Sequence, residues 1–162
     1  MVFSLIFVGC TKNASQPQEP YHDFAIFLLA NDTLSTLEVK YTSLDSLTLA
    51  VQPLVTTADV VTYKWSVHEV TLTAQGYANY KSIGQEVRST FGLPFVVVAA
   101  NEKIYLGTFY PLISSYIHTD LPLVALTSFE GIRISRAPDS TVPDKRNDMR
   151  IYNALLKANK II

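Results

Sequence analysis

Short apolar runs separated by polar, turn-forming residues extend along most of the chain, and they predict strands more often than helices. Residues 24–30 and residues 95–99 are continuous apolar runs whose length is typical of buried strands. The polar residues 101–103 predict a turn, from which residues 104–109 return as a hairpin partner. Weaker patterns predict a strand or extended edge segment at residues 44–51 and short strands at residues 121–126 and 131–135.

Alternation with a period of two predicts the clearest strand, at residues 61–72. The first apolar face of this strand comprises Val61, Tyr63, Trp65 and Val67. The apolar positions then shift to Val70 and Leu72, which predicts a β-bulge near His68 and Glu69. We therefore expect Trp65 to belong to the core.

Apolar side chains that recur every three or four positions predict a central helix at residues 73–91, with Thr73 as its N-cap. They are Tyr77, Tyr80, Ile83, Val87 and Phe91. A second helix is predicted at residues 148–159, where Asp148 can cap the first turn. Its predicted apolar face comprises Met149, Ile151, Tyr152, Leu155 and Leu156.

Two single helical turns complete the pattern. One is predicted within residues 32–38, capped by Asp32 or Thr33, and the other has the capping-box pattern at residues 56–59. Strands, hairpins and these helices together predict an α+β fold. We expect a small mixed or antiparallel sheet with one central helix and a C-terminal helix.

Composition supports one folded domain, at residues 23–162. The 162-residue chain is 48% hydrophobic and 17% charged, which is typical of a globular protein. Its net charge of −1 gives no field that would collect nucleic acid, so no nucleic-acid partner is expected. The one cysteine excludes an internal disulfide and a cysteine-based zinc site.

That cysteine, Cys10, follows a short apolar run at residues 2–8 and a small residue, Gly9. The run is too short to span a bilayer, but it has the length of the apolar region of a signal peptide. The pattern resembles the lipobox of bacterial lipoproteins. This resemblance implies that residues 1–9 are a signal peptide, that Cys10 carries diacylglycerol, and that further acylation anchors the protein in a membrane.

Residues 10–22 are predicted to be a flexible tether. From residue 11 onward they are rich in polar residues and contain Pro17 and Pro20, with no aliphatic side chain larger than that of Ala14. Such a segment cannot bury an apolar face. The order of lipid, tether and domain predicts an extracytoplasmic protein that faces the periplasm or the cell surface.

Candidate catalytic chemistry is limited to Ser114, His118 and Asp120, which could suggest a hydrolytic triad. Triad members usually come from different elements, so a hydrogen-bonded turn explains this cluster better. The histidines are His22, His68 and His118, and they lack the spacing of a metal site. No glycine loop that could bind a nucleotide phosphate is present, so we expect neither metal nor cofactor.

The loop after the predicted hairpin is the first candidate for a binding surface, because loops on a rigid sheet often carry function. Its candidate residues are Tyr110, Ser114, Ser115, Tyr116 and His118. Aromatic side chains there could bind a peptide or a carbohydrate, or could simply pack between strands.

Residues 53–106 resemble the first large periplasmic domain of SecD, an accessory protein of protein translocation. The resemblance rests on three segments: Pro-Leu-Val-Thr-Thr-Ala-Asp-Val at residues 53–60, Val-Thr-Leu-Thr-Ala-Gln-Gly at residues 70–76, and the hairpin at residues 95–106. It implies an α+β module that handles other polypeptides outside the cytoplasm. SecD has membrane helices, and this chain has no such segment after residue 10, so the motor role of SecD is not implied.

These patterns favour a non-catalytic module that is anchored through lipid on Cys10 and binds a protein, a peptide or an envelope polymer. The alternatives are an envelope hydrolase acting through Ser114, His118 and Asp120, and a purely structural lipoprotein. Convergence of those three side chains would favour the hydrolase, and the absence of any concave surface would favour the structural role.

Overall fold

The computed structural model describes residues 23–86, 89–111, 114, 116–126 and 131–162. It has the predicted α+β fold, with two sheets and three α-helices in the described residues. The strands are β1 (Phe24–Leu28), β2 (Val55–Thr56), β3 (Val60–Lys64), β4 (Glu69–Leu72), β5 (Leu93–Ala99), β6 (Glu102–Tyr110), β7 (Leu123–Ala125) and β8 (Gly131–Arg133). The helices are α1 (Thr36–Val39), α2 (Ala74–Glu86) and α3 (Met149–Lys157). Cys10, the proposed tether and Ser115 lie outside the described residues.

The first sheet has the order β2-β1-β5-β6-β7, and its central strands are covered on both faces. The pairs β1–β5 and β5–β6 are antiparallel, whereas β7 pairs in parallel with β6, so the sheet is mixed. Phe24 and Val97 face a core shared with the second sheet, α2 and α3, while Phe27 and Val96 face a smaller core on the opposite side. Burial of both faces explains why β1 and β5 are continuous apolar runs.

The β5–β6 hairpin turns at Ala100 and Asn101, whose φ angles of 50° and 63° are typical of a type I′ turn. The predicted hairpin is confirmed, and its turn lies one residue earlier than predicted. The strand or edge segment predicted at residues 44–51 is only partly correct. Leu44–Ser46 form a 3-10 turn, whereas Leu49 makes an isolated antiparallel bridge to Leu29, just after β1. The ammonium group of Lys103 donates to two carbonyls of this segment, which favours a compact loop over a paired strand.

The second sheet, β3-β4-β8, corrects the prediction of one continuous strand at residues 61–72. The chain instead forms a hairpin, because Trp65–Val67 is a 3-10 turn that ends at His68 with a left-handed φ of 51°. The predicted shared face is also wrong. A register shift early in β3 leaves Val61 47% exposed while Tyr63 is buried. Trp65 is partly buried and packs against the core.

Buried polar contacts stabilise this hairpin turn. His68 is buried, and its Nδ1 lies 3.1 Å from the Tyr63 hydroxyl. Burial lowers the pKa of His68, and the nearby Arg146 guanidinium lowers it further. Arg146 itself forms an ion pair with Asp144 and donates to the carbonyl of Ile134 at 2.7 Å. These contacts connect the turn to the segment that precedes α3.

The central helix is confirmed but is shorter than predicted. Thr73 caps α2, since its hydroxyl accepts from the N–H of Gly76 at 3.1 Å, and Tyr80 and Ile83 are buried as expected. Phe91 lies outside the helix and is 40% exposed, whereas Val87 is outside the described residues. Both predicted helical turns are confirmed. Ser35, not Asp32 or Thr33, is the N-cap of the first one, and its N–H donates to Glu38 at 2.7 Å.

Helix α3 begins after its predicted N-cap, Asp148, which accepts a hydrogen bond from the N–H of Arg150. Ile151 and Leu155 are buried as expected, but Met149 and Leu156 are exposed, so the predicted apolar face is only partly correct. No helix in the described part of the chain is long and apolar enough to cross a membrane.

Candidate functional site

Segment 90–92, which leads into β5, is held by three residues from two parts of the chain that are distant in sequence. Its successive carbonyls accept hydrogen bonds from Ser114 Oγ (Thr90), from His118 Nε2 at 2.8 Å (Phe91), and from the backbone N–H of Thr36 at 3.1 Å (Gly92). Two of the three donors are side chains of the predicted binding loop. The loop therefore holds a neighbouring segment in place, and the sequence pattern did not identify that segment as functional.

His118 is only 1% exposed, and its hydrogen bond determines its tautomer. The Phe91 carbonyl can only accept, so Nε2 carries the proton and Nδ1 of the neutral ring is an acceptor. Among the described residues this Nδ1 has no hydrogen-bond partner. A buried acceptor without a partner costs roughly 1–3 kcal/mol, so the bond at Nε2 has to offset that cost.

Ser114 is fully engaged with the main chain. Besides Thr90, its hydroxyl contacts the carbonyl and the N–H of Tyr116, each at 3.1 Å. The Tyr110 hydroxyl donates to the Ser114 carbonyl at 2.7 Å. Tyr110, Ser114, Tyr116 and His118 thus lie close together, and Ser115 lies outside the described residues.

The three residues of the candidate triad do not form one. Asp120 pairs with Lys40, whose Nζ lies 3.2 Å from both carboxylate oxygens. Ser114 and His118 each bind a main-chain carbonyl, and within the described residues no hydrogen bond joins Ser114 to His118 or His118 to Asp120. A hydrolase needs the serine bonded to its base and the base bonded to an orienting acid. This arrangement has neither bond.

Three aromatic rings, one of them that of Phe91, make successive edge-to-face contacts at segment 90–92. The Phe91 and Tyr116 ring centroids are 5.4 Å apart in an edge-to-face arrangement, and those of Tyr116 and His118 are 4.9 Å apart. Such geometry is favourable for aromatic pairs. The adjacent Ile117 is 52% exposed, so an apolar surface reaches solvent here.

Gly92 of this segment, together with Ser89, Leu93 and Pro94, lines one side of a cleft of about 420 Å³, which we call the leucine cleft. Its apolar lining comprises Leu28, Leu29, Leu34, Leu93 and Pro94. Its polar lining comprises Asn31, Asp32, Thr33, Ser89 and Gly92. One wall is thus the end of β1 with the loop that follows it, and the other is the entry into β5. A cleft of this size and mixed lining suits a small ligand or one or two side chains of a polymer.

The polar rim of the leucine cleft is partly ordered. Asn31 Oδ1 accepts from both the N–H and the hydroxyl of Thr33, at 3.1 and 2.7 Å, which fixes the turn. Within the described part of the chain the Asp32 carboxylate makes no ion pair or hydrogen bond. Among the described residues it is the one charged side chain of the cleft lining, and it is available to a cationic group.

Sequence reasoning missed this cleft, although a signal was present. Asn31 and Asp32 end the first apolar run, and Gly92 and Pro94 end the central helix pattern. Both groups indicate breaks in the chain, and the fold brings the two breaks together across the β1–β5 pair. Adjacent breaks at one end of a strand pair commonly leave a concave surface.

The described residues contain no group of three or more His, Cys, Asp or Glu side chains that could hold a metal ion. Comparison of the chain with protein-family models, curated proteins and solved structures finds no match.

Proposed function

We propose that this protein is a lipid-anchored, extracytoplasmic module that binds an extended polypeptide in the leucine cleft and does not act as an enzyme. The observation that carries the proposal is the cleft itself, which joins an apolar lining to a carboxylate that has no partner among the described residues. A peptide that places an apolar side chain next to a lysine or arginine matches both features. The resemblance of residues 53–106 to a SecD periplasmic domain supports the same class of ligand.

Preorganisation of the segment that leads into one cleft wall supports a binding role. Segment 90–92 is fixed by three hydrogen bonds, two of them from Ser114 and His118. A wall that is already ordered loses little conformational entropy when a ligand binds. Engagement of both side chains with main-chain carbonyls also supports a positioning role over a catalytic one.

The anchored location is tested by metabolic labelling with an alkyne fatty acid. We expect wild-type protein to incorporate label and to fractionate with membranes, and Cys10→Ala to lose both properties, because Cys10 supplies the one thiol in the chain. Expression from a start that retains the whole apolar run is required. Wild-type protein that stays unlabelled and in the cytoplasm would contradict the location.

The ligand class is tested by fluorescence anisotropy with short labelled peptides that contain Leu next to Lys. We expect Leu34→Ser to weaken binding about tenfold, because removing most of a contacting leucine side chain costs roughly 1–2 kcal/mol. Asp32→Asn should weaken binding about two- to fivefold, as is typical of an exposed ion pair.

Two controls make this test specific. Asp45→Asn removes an exposed carboxylate that lies outside the cleft lining, and it should leave affinity unchanged. A peptide with Glu in place of Lys should bind more weakly to the wild type, and Asp32→Asn should remove that difference. Binding of envelope polysaccharide fragments without any peptide binding would replace the peptide proposal.

A further inference from the structure

Helix α3 presents apolar side chains to solvent along one stripe. Met149 is 57% exposed and Leu156 is 50% exposed, and the partly buried Tyr152 lies between them. Spacings of three and four residues place all three on one side of the helix, opposite the buried Ile151 and Leu155. We call Met149, Tyr152 and Leu156 the α3 outer face.

The core extends to this face through Trp65. Its ring centroid is 5.1 Å from that of Tyr152, in an edge-to-face arrangement, and Trp65 also packs against His68. The contact with Trp65 therefore fixes the position of the Tyr152 ring on this face. A contiguous apolar stripe that remains exposed on a helix commonly marks an interaction surface.

The C-terminal segment that contains α3 is basic, although Glu102 and Asp23 from other parts of the chain pair with it and lower the charge around the helix to +1. Residues 144–162 contain five Lys or Arg and two Asp, which gives +3, so the remaining 143 residues carry −4 of the total of −1. Arg150 is paired with Asp148 and Glu102, but Lys157 is 74% exposed in its side chain and has one weak partner. Near the two ends of α3, Lys145 and Lys160 make no ion pair within the described residues. An apolar helix face with unpaired lysines near its ends matches the chemistry of an anionic membrane surface.

The tether enters the domain at this helix. Lys157 Nζ lies 3.4 Å from the Asp23 carboxylate, and Asp23 is the first described residue after the proposed tether. Cys10 and Asp23 are 13 positions apart, and a flexible chain of that length would span about 20 Å on average. A lipid on Cys10 would thus keep α3 within a short distance of the bilayer.

We infer that the α3 outer face rests on the surface of an anionic phospholipid bilayer and orients the domain on it. This inference rests on the proposed lipid anchor at Cys10. The same orientation places the leucine cleft relative to the bilayer. Strand β1 begins beside α3 at Phe24, and its last residue, Leu28, lines the cleft together with Leu29. A strand of five residues spans roughly 17 Å, so the cleft lies at the far end of β1 from the tether entry.

The experiment uses site-specific labelling of the full chain in vesicles of phosphatidylcholine and phosphatidylglycerol. Once Cys10 is acylated, Leu156→Cys supplies one thiol for an environment-sensitive dye. Val51→Cys is the matched control, since Val51 is 89% exposed and is remote from α3 in sequence. If Cys10 proves not to be acylated, the same labels are placed in the Cys10→Ser background and the protein is added to the vesicles.

We expect the dye at residue 156 to report a lipid environment and the dye at residue 51 to report water. Lys157→Glu or vesicles of phosphatidylcholine alone should lower the lipid-inserted fraction at residue 156, by about fivefold for each basic side chain that engages lipid. Circular dichroism of each variant confirms the fold.

Water exposure at residue 156 in both backgrounds would overturn the inference. Protection at residue 156 that depends on protein concentration instead of lipid would also overturn it, because a second copy would then cover the face. Fatty-acid incorporation at Cys10 is measured separately, so failure of the anchor and failure of the face are distinguishable.

Discussion

Replacing Gly107 with alanine is expected to lower the free energy of unfolding by about 3 kcal/mol, which is at the high end for inserting one methyl group into a packed core. Gly107 lies opposite Phe95 in the β5–β6 pair. A Cβ at residue 107 would lie 2.3 Å from Cζ of the Phe95 ring and within 2.8 Å of two further ring atoms. Phe95 is fully buried against Phe109, with centroids 4.6 Å apart, so its ring has no space to move.

Urea unfolding followed by the fluorescence of Trp65, the one tryptophan, measures this effect. The matched control is Phe95→Leu, which removes the ring atoms that the new methyl group would contact. We expect the double variant to be more stable than the sum of the single effects by about 1–2 kcal/mol. Strict additivity would show that Phe95 is not the obstacle.

Replacing Gly92 with alanine is expected to destabilise the fold by a similar amount, about 3 kcal/mol, through two separate costs. The φ of Gly92 is +78°, which an L-residue rarely adopts. A Cβ there would also lie 2.2 Å from Thr108 Oγ1, whose hydroxyl is 2.8 Å from that of Thr36 in a buried pair. Because Gly92 lines the leucine cleft, peptide affinity should fall together with stability.

Thr108→Ala separates the two costs. It removes the nearest oxygen that the new methyl group would contact, but it leaves the backbone strain and the looser contacts with Phe109 and Thr36 unchanged. We expect Gly92→Ala to cost about 1–2 kcal/mol in the Thr108→Ala background, which is mainly the strain of the left-handed conformation. An unchanged cost of about 3 kcal/mol would show that the contact with Thr108 contributes nothing. Full peptide affinity in Gly92→Ala would show that the peptide does not bind next to Gly92.

The elements that were predicted correctly are those whose signal lies within a short stretch of sequence. The runs that became β1 and β5 were recognisable because burial on both faces removes every polar residue from a strand. The single helical turns were recognisable because a capping box acts within four residues, as the 2.8 Å bond from the Thr56 N–H to Asp59 shows.

The incorrect or only partly correct predictions involve contacts between residues that are distant in sequence. Alternation over residues 61–72 is compatible with one strand or with two. The left-handed conformation of His68 and its hydrogen bond to Tyr63 produce a hairpin instead of one strand. Residues 44–51 are sufficiently apolar for a strand, but Lys103 binds two of their carbonyls and a compact loop results. Periodicity carries no information about either contact.

The candidate site was likewise predictable from the sequence only in part. The sequence singled out Ser114, Tyr116 and His118, and the structure places them together. Their chemistry could not be predicted, because a serine and a histidine four residues apart suit a turn as well as a catalytic pair. The hydrogen bonds to Thr90 and Phe91 give Ser114 and His118 a positioning role at the segment beside the cleft.

By itself the sequence determined the α+β class, the central strands and the position of two helices, because these depend on local periodicity and caps. It also determined the candidate lipid site at Cys10, which stays a prediction. Only the tertiary structure decided the leucine cleft, the partners of His118 and the exposed face of α3. Each of these depends on segments that meet across 27 or more positions, such as His118 and Phe91, and such contacts are determined by packing of the whole core.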